Sequence, residues 1–176
     1  MNEAIEPLLK KIIKIGSGAT FYRFSNTGGK TWVMPAMNMG IAMNLYQASG
    51  IKGKMVKNLL PRLHKIGLVR NVLRTETFNC SLNDELWSLL CNVFNSTDVE
   101  FSIFCGTPCV HQKVTIQLNR GYTILGYCKL SESDDIARLF ERESQLLRHL
   151  SSEGVVGIPQ SLYCGKLTNG INIFIQ

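Results

Sequence analysis

The sequence has no long apolar segment and no cluster of metal-binding residues. No run of 18 or more apolar residues occurs, so no membrane-spanning helix is expected, and the first residues, MNEAIEPLLKK, lack a secretory pattern. The six cysteines never form a C-x-x-C motif, and the three histidines lie far from one another, which argues against structural zinc. We therefore expect a soluble, cytoplasmic protein without a metal site and with reduced, buried thiols.

What the sequence does have is a charge imbalance between its two halves. The 176 residues carry 19 Lys and Arg against 13 Asp and Glu, a net charge of +6. Residues 1–75 hold twelve basic and two acidic residues, a net of +10, whereas residues 76–176 hold seven basic and eleven acidic ones, a net of −4. The polar segment Asn95 to Asp98 is a natural boundary, so we predict two parts, residues 1–97 and 98–176.

The basic part has several candidate roles. Its positive charge could meet phosphates, an acidic glycan, nucleic acid or an anionic membrane face, or it could rest on an acidic partner domain or simply be solvated. Trp32, Pro35 and the stretch L-Y-Q-A-S-G-I-K-G-K are similar to residues in N-terminal extensions of kinase-like proteins from bacterial surface-glycan clusters.

The first part predicts mixed helices and one hairpin. Apolar residues at helical spacing predict a helix over residues 3–14 that Gly16 ends, and Asn26-Thr27-Gly28-Gly29 has the chemistry of a hairpin tip. Two further helices are expected, one over residues 37–47 and one over residues 53–66 that Gly67 ends, and a strand is expected over residues 68–73. Ser81 and Asp84 form a capping box, which predicts a last helix that runs to Phe94.

The second part reads as strands around one main helix. Strands are expected at residues 100–105, 110–118, 122–130, 160–167 and 171–175, with the last two joined at Asn169-Gly170. Ser131 with Asp134 forms a second capping box, which opens a helix to about Leu150.

Glu143 lies on the apolar side of that helix. The residues that share its helical face are Ile136, Leu139, Phe140, Leu146, Leu147 and Leu150. A buried carboxylate without a partner costs several kcal/mol or loses its charge, so a cation is required. Lys129, in the strand before the helix, is one candidate. The alternative is that Glu143 turns outward and pairs with Arg142 or Arg148 in solvent.

The order of these elements resembles the N-terminal lobe of protein-kinase-like phosphotransferases, in particular the bacterial aminoglycoside- and lipopolysaccharide-kinase-like branch. The resemblance covers about 78 residues. It is carried by a hairpin, a strand with Y-C-K-L, a helix with F-E-R-E-S-Q-L-L, and then G-I-P-Q-S-L and I-N-I-F-I-Q. It implies an α+β fold in which a basic helical and hairpin region precedes a five-stranded antiparallel sheet with one main helix.

The resemblance also implies roles for individual residues. Lys129 would position the α- and β-phosphates of ATP, bound with Mg²⁺, and Glu143 would hold Lys129 by an ion pair. Gly106 and Thr107 lie in the segment C-G-T-P-C-V-H, which corresponds to the glycine-rich phosphate loop but has a single glycine and a proline without an N–H. Phe174 and Gln176 would lie where the last strand approaches the adenine.

Catalysis requires more than these residues. No H-x-D…N segment and no later metal-binding Asp follows the expected strands, so we assign no catalytic residue and no metal ligand and expect the chain by itself to be inactive. The chain would be the nucleotide-facing part of a small-molecule or surface-glycan phosphotransferase, or a non-catalytic interaction module. Its partners would be a nucleotide, a missing catalytic lobe or a second copy, because an uncovered apolar sheet favours self-association.

A DNA-binding regulator is the rival hypothesis. The segment K-G-K-M-V-K-N-L-L-P-R-L-H-K-I-G-L-V-R resembles the helix-turn-helix and the beginning of the wing in bacterial winged-helix regulators. In that interpretation the basic side chains of the helix meet DNA phosphates; these are Lys52, Lys54, Lys57, Arg62 and Lys65. The apolar side chains pack inward; these are Val56, Leu59, Leu60 and Leu63. Pro61 within the helix and the scarcity of base-reading residues argue against it.

Overall fold

The computed structural model describes residues 7–47, 50–65 and 75–176, without the side chain of Lys52. Within these residues, five helices and eight strands follow one another: α1 (Pro7–Ile12), β1 (Ile13–Ser25), β2 (Thr31–Pro35), α2 (Met39–Ala42, continued by a 3-10 turn over Met43–Leu45), α3 (Gly50–Lys65), β3 (Glu76–Leu82), α4 (Asp84–Phe94), β4 (Glu100–Cys105), β5 (Val114–Arg120), β6 (Thr123–Ser131), α5 (Asp134–Ser152), β7 (Tyr163–Lys166) and β8 (Asn172–Ile175). The expected α+β class is confirmed.

The described strands form one antiparallel sheet in the order β3-β1-β2-β4-β5-β6-β8-β7. Five strands were expected in one sheet; the first hairpin and β3 extend it to eight. Strand β2 joins β4 through the pairs Thr31–Cys105, Trp32–Phe104 and Val33–Ile103. The sheet therefore continues across the boundary that the sequence suggests between residues 97 and 98.

Alternation along the strands divides the sheet into two faces. The face that we call the covered face packs against α1 and α4, and holds the larger apolar core. Its buried side chains include Leu9 and Ile12 of α1, Leu86 and Leu90 of α4, and Ile103, Ile116, Leu118, Leu130, Ile173 and Ile175 of the strands.

The opposite face, which we call the groove face, carries helices at its two ends. At one end, Met39, Ala42, Met43 and Leu60 from α2, the 3-10 turn and α3 pack against Phe24, Trp32 and Met34. At the other end, Ile136 and Phe140 of α5 pack against Phe174 of β8. The strands between these two clusters line a groove, and the candidate site lies in it.

The N-terminal helix is shorter than predicted. It ends at Ile12, and from Ile13 onward the chain pairs with β3 through Leu82, Ser81 and Cys80. Gly16 does not end the helix; it lies in a bulge of β1 together with Gly18, and both have positive φ. The apolar residues that suggested a longer helix also suit a strand, and pairing with β3 decides between them.

Strand β3 was not predicted, and its end explains the error at the following helix. Ser81 is a strand residue whose Oγ lies 3.1 Å from Ser17 Oγ. Asn83 is the N-cap of α4 instead: its Oδ1 accepts a hydrogen bond from the Leu86 amide at 2.8 Å. The strand predicted at residues 68–73 lies outside the described residues.

Smaller differences concern element ends. The strand predicted from Val110 begins at Val114, because residues 106–112 form a loop in which the Gln112 amide donates to the Cys109 carbonyl at 3.0 Å. The strand predicted from Gln160 begins at Tyr163, and α5 continues to Ser152. The helix predicted over 37–47 is limited to residues 39–42 and the 3-10 turn.

Helix α3 runs through Pro61, which therefore lies inside the helix. Of the four residues expected to pack inward in the winged-helix interpretation, Leu60 is buried whereas Leu59 is exposed, which corrects the prediction for Leu59. The expected wing falls outside the described residues, so DNA binding stays a prediction.

Candidate functional site

Lys129 and Glu143 meet in the groove. Lys129 lies in β6 and Glu143 in α5, and Lys129 Nζ is 2.7 Å from Glu143 Oε1. Of the partners that the sequence left open for Glu143, the structure selects Lys129. The side chain of Lys129 is 23% exposed and that of Glu143 is 39% exposed, so the pair is partly desolvated yet reachable from solvent.

The predicted buried stripe of α5 needs a correction. The helix buries Ile136, Phe140 and Ser144, whereas Leu139 and Leu146 are exposed. Because the buried stripe is centred on Phe140 and Ser144, Glu143 lies at its edge instead of inside the core. That position lets its carboxylate reach into the groove without losing all contact with water.

A row of side chains on the groove face places Lys129. Strand register sets Phe104, Thr115, Lys129 and Phe174 opposite one another on β4, β5, β6 and β8. The Lys129 ammonium lies 5.3 Å from the centre of the Phe174 ring, and Phe174 in turn packs on Phe140 at 5.9 Å. A cation over an aromatic face is favourable, so both the Phe174 ring and the Glu143 carboxylate stabilise the position of the Lys129 ammonium.

The groove contains a cavity of about 450 Å³. Four of the five residues predicted to bind the cofactor line it: Gly106, Thr107, Lys129 and Glu143. The structure thus brings Gly106, Thr107 and the ion pair to one site. Lys30 and Lys113 also line the cavity, and sequence reasoning did not single them out.

The loop over residues 106–113 is fixed to its surroundings. The Gly106 amide donates to the Lys113 carbonyl at 2.9 Å, and Gln112 Nε2 donates to the Gly106 carbonyl at 2.9 Å. Ser131 Oγ donates to the Gln112 carbonyl at 2.8 Å, which ties the loop to the end of β6. These bonds close the loop on itself and fix it to the end of β6.

Gln176 lies apart from the other predicted residues. Its backbone continues β8, with the amide and carbonyl both bonded to Tyr127 at 2.9 and 2.7 Å. It lines a neighbouring cleft with Tyr127, Leu162 and Pro159, not the cavity around Lys129. Its side-chain Oε1 is buried and, among the described residues, has no hydrogen-bond partner.

None of the six cysteines forms a disulfide within the described residues. Cys80, Cys105 and Cys128 are buried, whereas Cys109 is exposed and lines the cavity around Lys129. Burial raises the pKa of the Cys80 thiol to about 12 and also raises the pKa of Cys128. A thiol whose pKa is raised by burial is a poor nucleophile, so we treat Cys80 and Cys128 as packing residues.

Residues 7–47, 50–65 and 75–176 contain neither a metal-binding cluster nor a membrane-spanning helix. No group of three or more His, Cys, Asp or Glu side chains there could hold a metal ion. None of the helices in this part of the chain is long and apolar enough to cross a membrane.

Comparison with known proteins gives no match: no protein-family model, curated protein or solved structure is similar enough to this chain to be matched. Any assignment of function therefore depends on the residues and contacts described above.

Proposed function

We propose that this chain is the nucleotide-facing part of a kinase-like phosphotransferase that acts on a small molecule or a surface glycan. The observation that carries the proposal is the 2.7 Å contact between Lys129 and Glu143 at the mouth of the groove. In the family that the sequence resembles, such a lysine positions the α- and β-phosphates of ATP and the helix glutamate holds it in place.

The order of elements supports the same proposal. Hairpin β4–β5 is followed by β6 with Lys129, by α5 with Glu143, and by β7 and β8, and these five strands are neighbours in the order β4-β5-β6-β8-β7. Helix α5 packs against β8 through Phe140 and Phe174. These five strands are part of the eight-stranded sheet, and their order along the chain supports the proposal.

One group that suits a nucleotide lies beside the pair. Thr107 lines the same cavity, and its amide has no hydrogen-bond partner among the described residues, so it is available to a phosphate oxygen. Gln176, the remaining residue predicted to bind the nucleotide, lines a separate cleft and does not support the proposal.

These groups would bind and orient a nucleotide but would not complete a transfer. Glu143 is engaged by Lys129, and the part of the cavity wall that the structure describes has no second carboxylate to hold Mg²⁺ or to orient an acceptor hydroxyl. We therefore assign nucleotide binding to the described residues and no catalytic step.

The test is calorimetric titration of the chain with MgATP. We expect saturable binding by the wild type, and a loss of roughly tenfold or more in affinity for Lys129→Ala, because a hydrogen bond between charged groups is lost. Lys166→Ala, which removes an exposed lysine of β7, is the matched control and should bind as the wild type does. Absence of saturable binding by the wild type, or equal binding by Lys129→Ala, would refute the proposal.

A non-catalytic interaction module is the second candidate, and exposed apolar residues favour it. Leu139 and Leu146 lie seven residues apart on α5, on the same stripe as Glu143, and are 50% and 56% exposed. Light scattering at rising concentration separates the candidates. An interaction surface predicts self-association that Leu146→Glu abolishes and that the neighbouring change Gln145→Glu leaves intact; a monomer at every concentration would count against it.

A further inference from the structure

Two lysines outside the expected kinase-like pattern share the cavity with Lys129. Lys113 lies at the end of the loop that precedes β5, and Lys30 lies at the end of the turn between β1 and β2. Of the described residues, Glu143 alone brings a carboxylate to the cavity wall, and because that carboxylate is paired to Lys129 it does not neutralise the other two lysines. Among the described residues, neither Lys30 nor Lys113 has an ion-pair partner.

Strand register brings these lysines together. Thr115 is paired with Lys129, so Lys113, two residues earlier on the same face, is the diagonal neighbour of Lys129, at a Cα separation of roughly 7–8 Å. Thr31 is paired with Cys105, which places Lys30 beside Gly106, and the Gly106 amide bonds the Lys113 carbonyl at 2.9 Å. Three cations thus lie at one end of the groove face: Lys30 just before β2, Lys113 just before β5 and Lys129 in β6, with Gly106 after β4 between the first two.

Gly106 keeps the space between Lys30 and Lys113 open. It lies between them in the sheet and carries no side chain, and a Cβ there would approach the Lys113 carbonyl to 3.2 Å. Two ammonium groups on either side of a glycine repel each other until an anion lies between them. An anion is therefore the ligand that this arrangement favours.

The position of Lys30 is fixed by the turn that carries it. The Lys30 amide donates to Asn26 Oδ1 and the Lys30 carbonyl accepts from the Asn26 amide, both at 3.0 Å. Gly29, next to it, has a φ of +77° and lies so close to the phosphate-loop Pro108 that a Cβ would approach the proline Cδ to 2.9 Å. The hairpin tip therefore contacts the loop, and it presents Lys30 at a defined place.

We infer that Lys30 and Lys113 bind the polyphosphate end of the nucleotide. In this role they replace the backbone amides of the glycine-rich loop that binds the phosphates in kinase-like proteins. The inference rests on the proposed function, since it assigns the terminal phosphates of that nucleotide to two further residues. It also gives the N-terminal region a role: the first hairpin supplies one wall of the nucleotide site.

The experiment compares ATP, AMP and inorganic tripolyphosphate as ligands of the full chain, by calorimetry at low and at high salt. The variants are Lys30→Gln and Lys113→Gln, with Lys10→Gln, an exposed lysine of α1, as the matched control. We expect each site variant to weaken ATP and tripolyphosphate binding by roughly tenfold at low salt and by less at high salt, with AMP binding unchanged. Circular dichroism checks that the variants fold.

The outcomes separate this inference from the proposed function. ATP binding that depends on Lys129 but is unaffected by both glutamine substitutions overturns the inference and leaves the proposed function standing. Tripolyphosphate binding that depends on Lys30 and Lys113, without any contribution from the nucleoside, supports an anion site and overturns the nucleotide proposal. Binding of neither ATP nor tripolyphosphate by the wild type overturns both.

Discussion

The ion pair between Lys129 and Glu143 should be worth more than an ordinary surface pair, and a double-mutant cycle can measure it. Lys129→Met removes the charge but keeps an apolar stem over the Phe174 ring, and Glu143→Gln removes the opposite charge at nearly constant volume. The coupling energy is the amount by which the free energies of unfolding of the single variants fail to add up to that of the double variant.

The expected size follows from the exposure of the two groups. At 4 Å, two unit charges attract by about 4 kcal/mol near a protein surface, but desolvation and side-chain ordering offset most of this. Fully exposed pairs retain about 0.2–1 kcal/mol. Because Lys129 and Glu143 are 23% and 39% exposed and 2.7 Å apart, we expect a coupling of about 1 kcal/mol, at the upper end of that range.

Urea denaturation followed by circular dichroism gives the four free energies of unfolding, at low salt and again at high salt. The coupling should decrease with salt, since both groups are reachable by ions. Asp135 and Arg138, an exposed pair three residues apart on α5, form the comparison cycle and should couple by only about 0.3 kcal/mol. A coupling at Lys129 and Glu143 no larger than that of the comparison pair would show that the contact is not fixed in solution.

Three further substitutions test the fold that holds the site. Gly18→Ala should destabilise the chain much more than Gly16→Ala. Both residues have positive φ, but only at position 18 would a Cβ meet a backbone oxygen, that of Cys80 at 2.4 Å. The melting temperatures of the two variants give the comparison. Asn83→Ala should cost about 1 kcal/mol of unfolding free energy in urea, while Ser81→Ala, at the position that the sequence suggested as the cap, should cost less. Hydrogen bonds from Thr168 lower the pKa of Glu85, so its contribution to stability is present above its usual pKa and is lost as pH falls through the lowered value. The melting temperatures of wild type and Glu85→Gln should therefore differ at neutral pH and converge in acid; a difference that persists in acid would contradict this.

The second half of the fold could be predicted from sequence because its signals are local. Alternating residues in β5 and the Asn169-Gly170 turn fix strands and a hairpin without reference to distant contacts. For Glu143 the local signals left two possibilities open, a contact with Lys129 or an outward pair with Arg142 or Arg148, and the structure selects Lys129.

The first half was harder because its structure depends on pairing between distant residues. Ile13 to Ile15 suit a helix or a strand equally well, and only pairing with Cys80 to Leu82 selects the strand. Sequence reasoning did not single out Lys30 and Lys113 for the same reason. Lys30 and Lys113 are 83 positions apart in the sequence, and they become neighbours only because β2 pairs with β4 and β4 with β5.

Stability alone does not account for charged groups at the centre of this groove. The row that holds Lys129 has Phe104 and Phe174 on it, and a partly buried ion pair is often no more stabilising than apolar side chains of similar volume. The variant that lacks both charges should accordingly unfold at nearly the same urea concentration as the wild type, even though each single variant leaves one uncompensated charge. If that variant also fails to bind MgATP, then the pair contributes to ligand binding in the groove and not to stability.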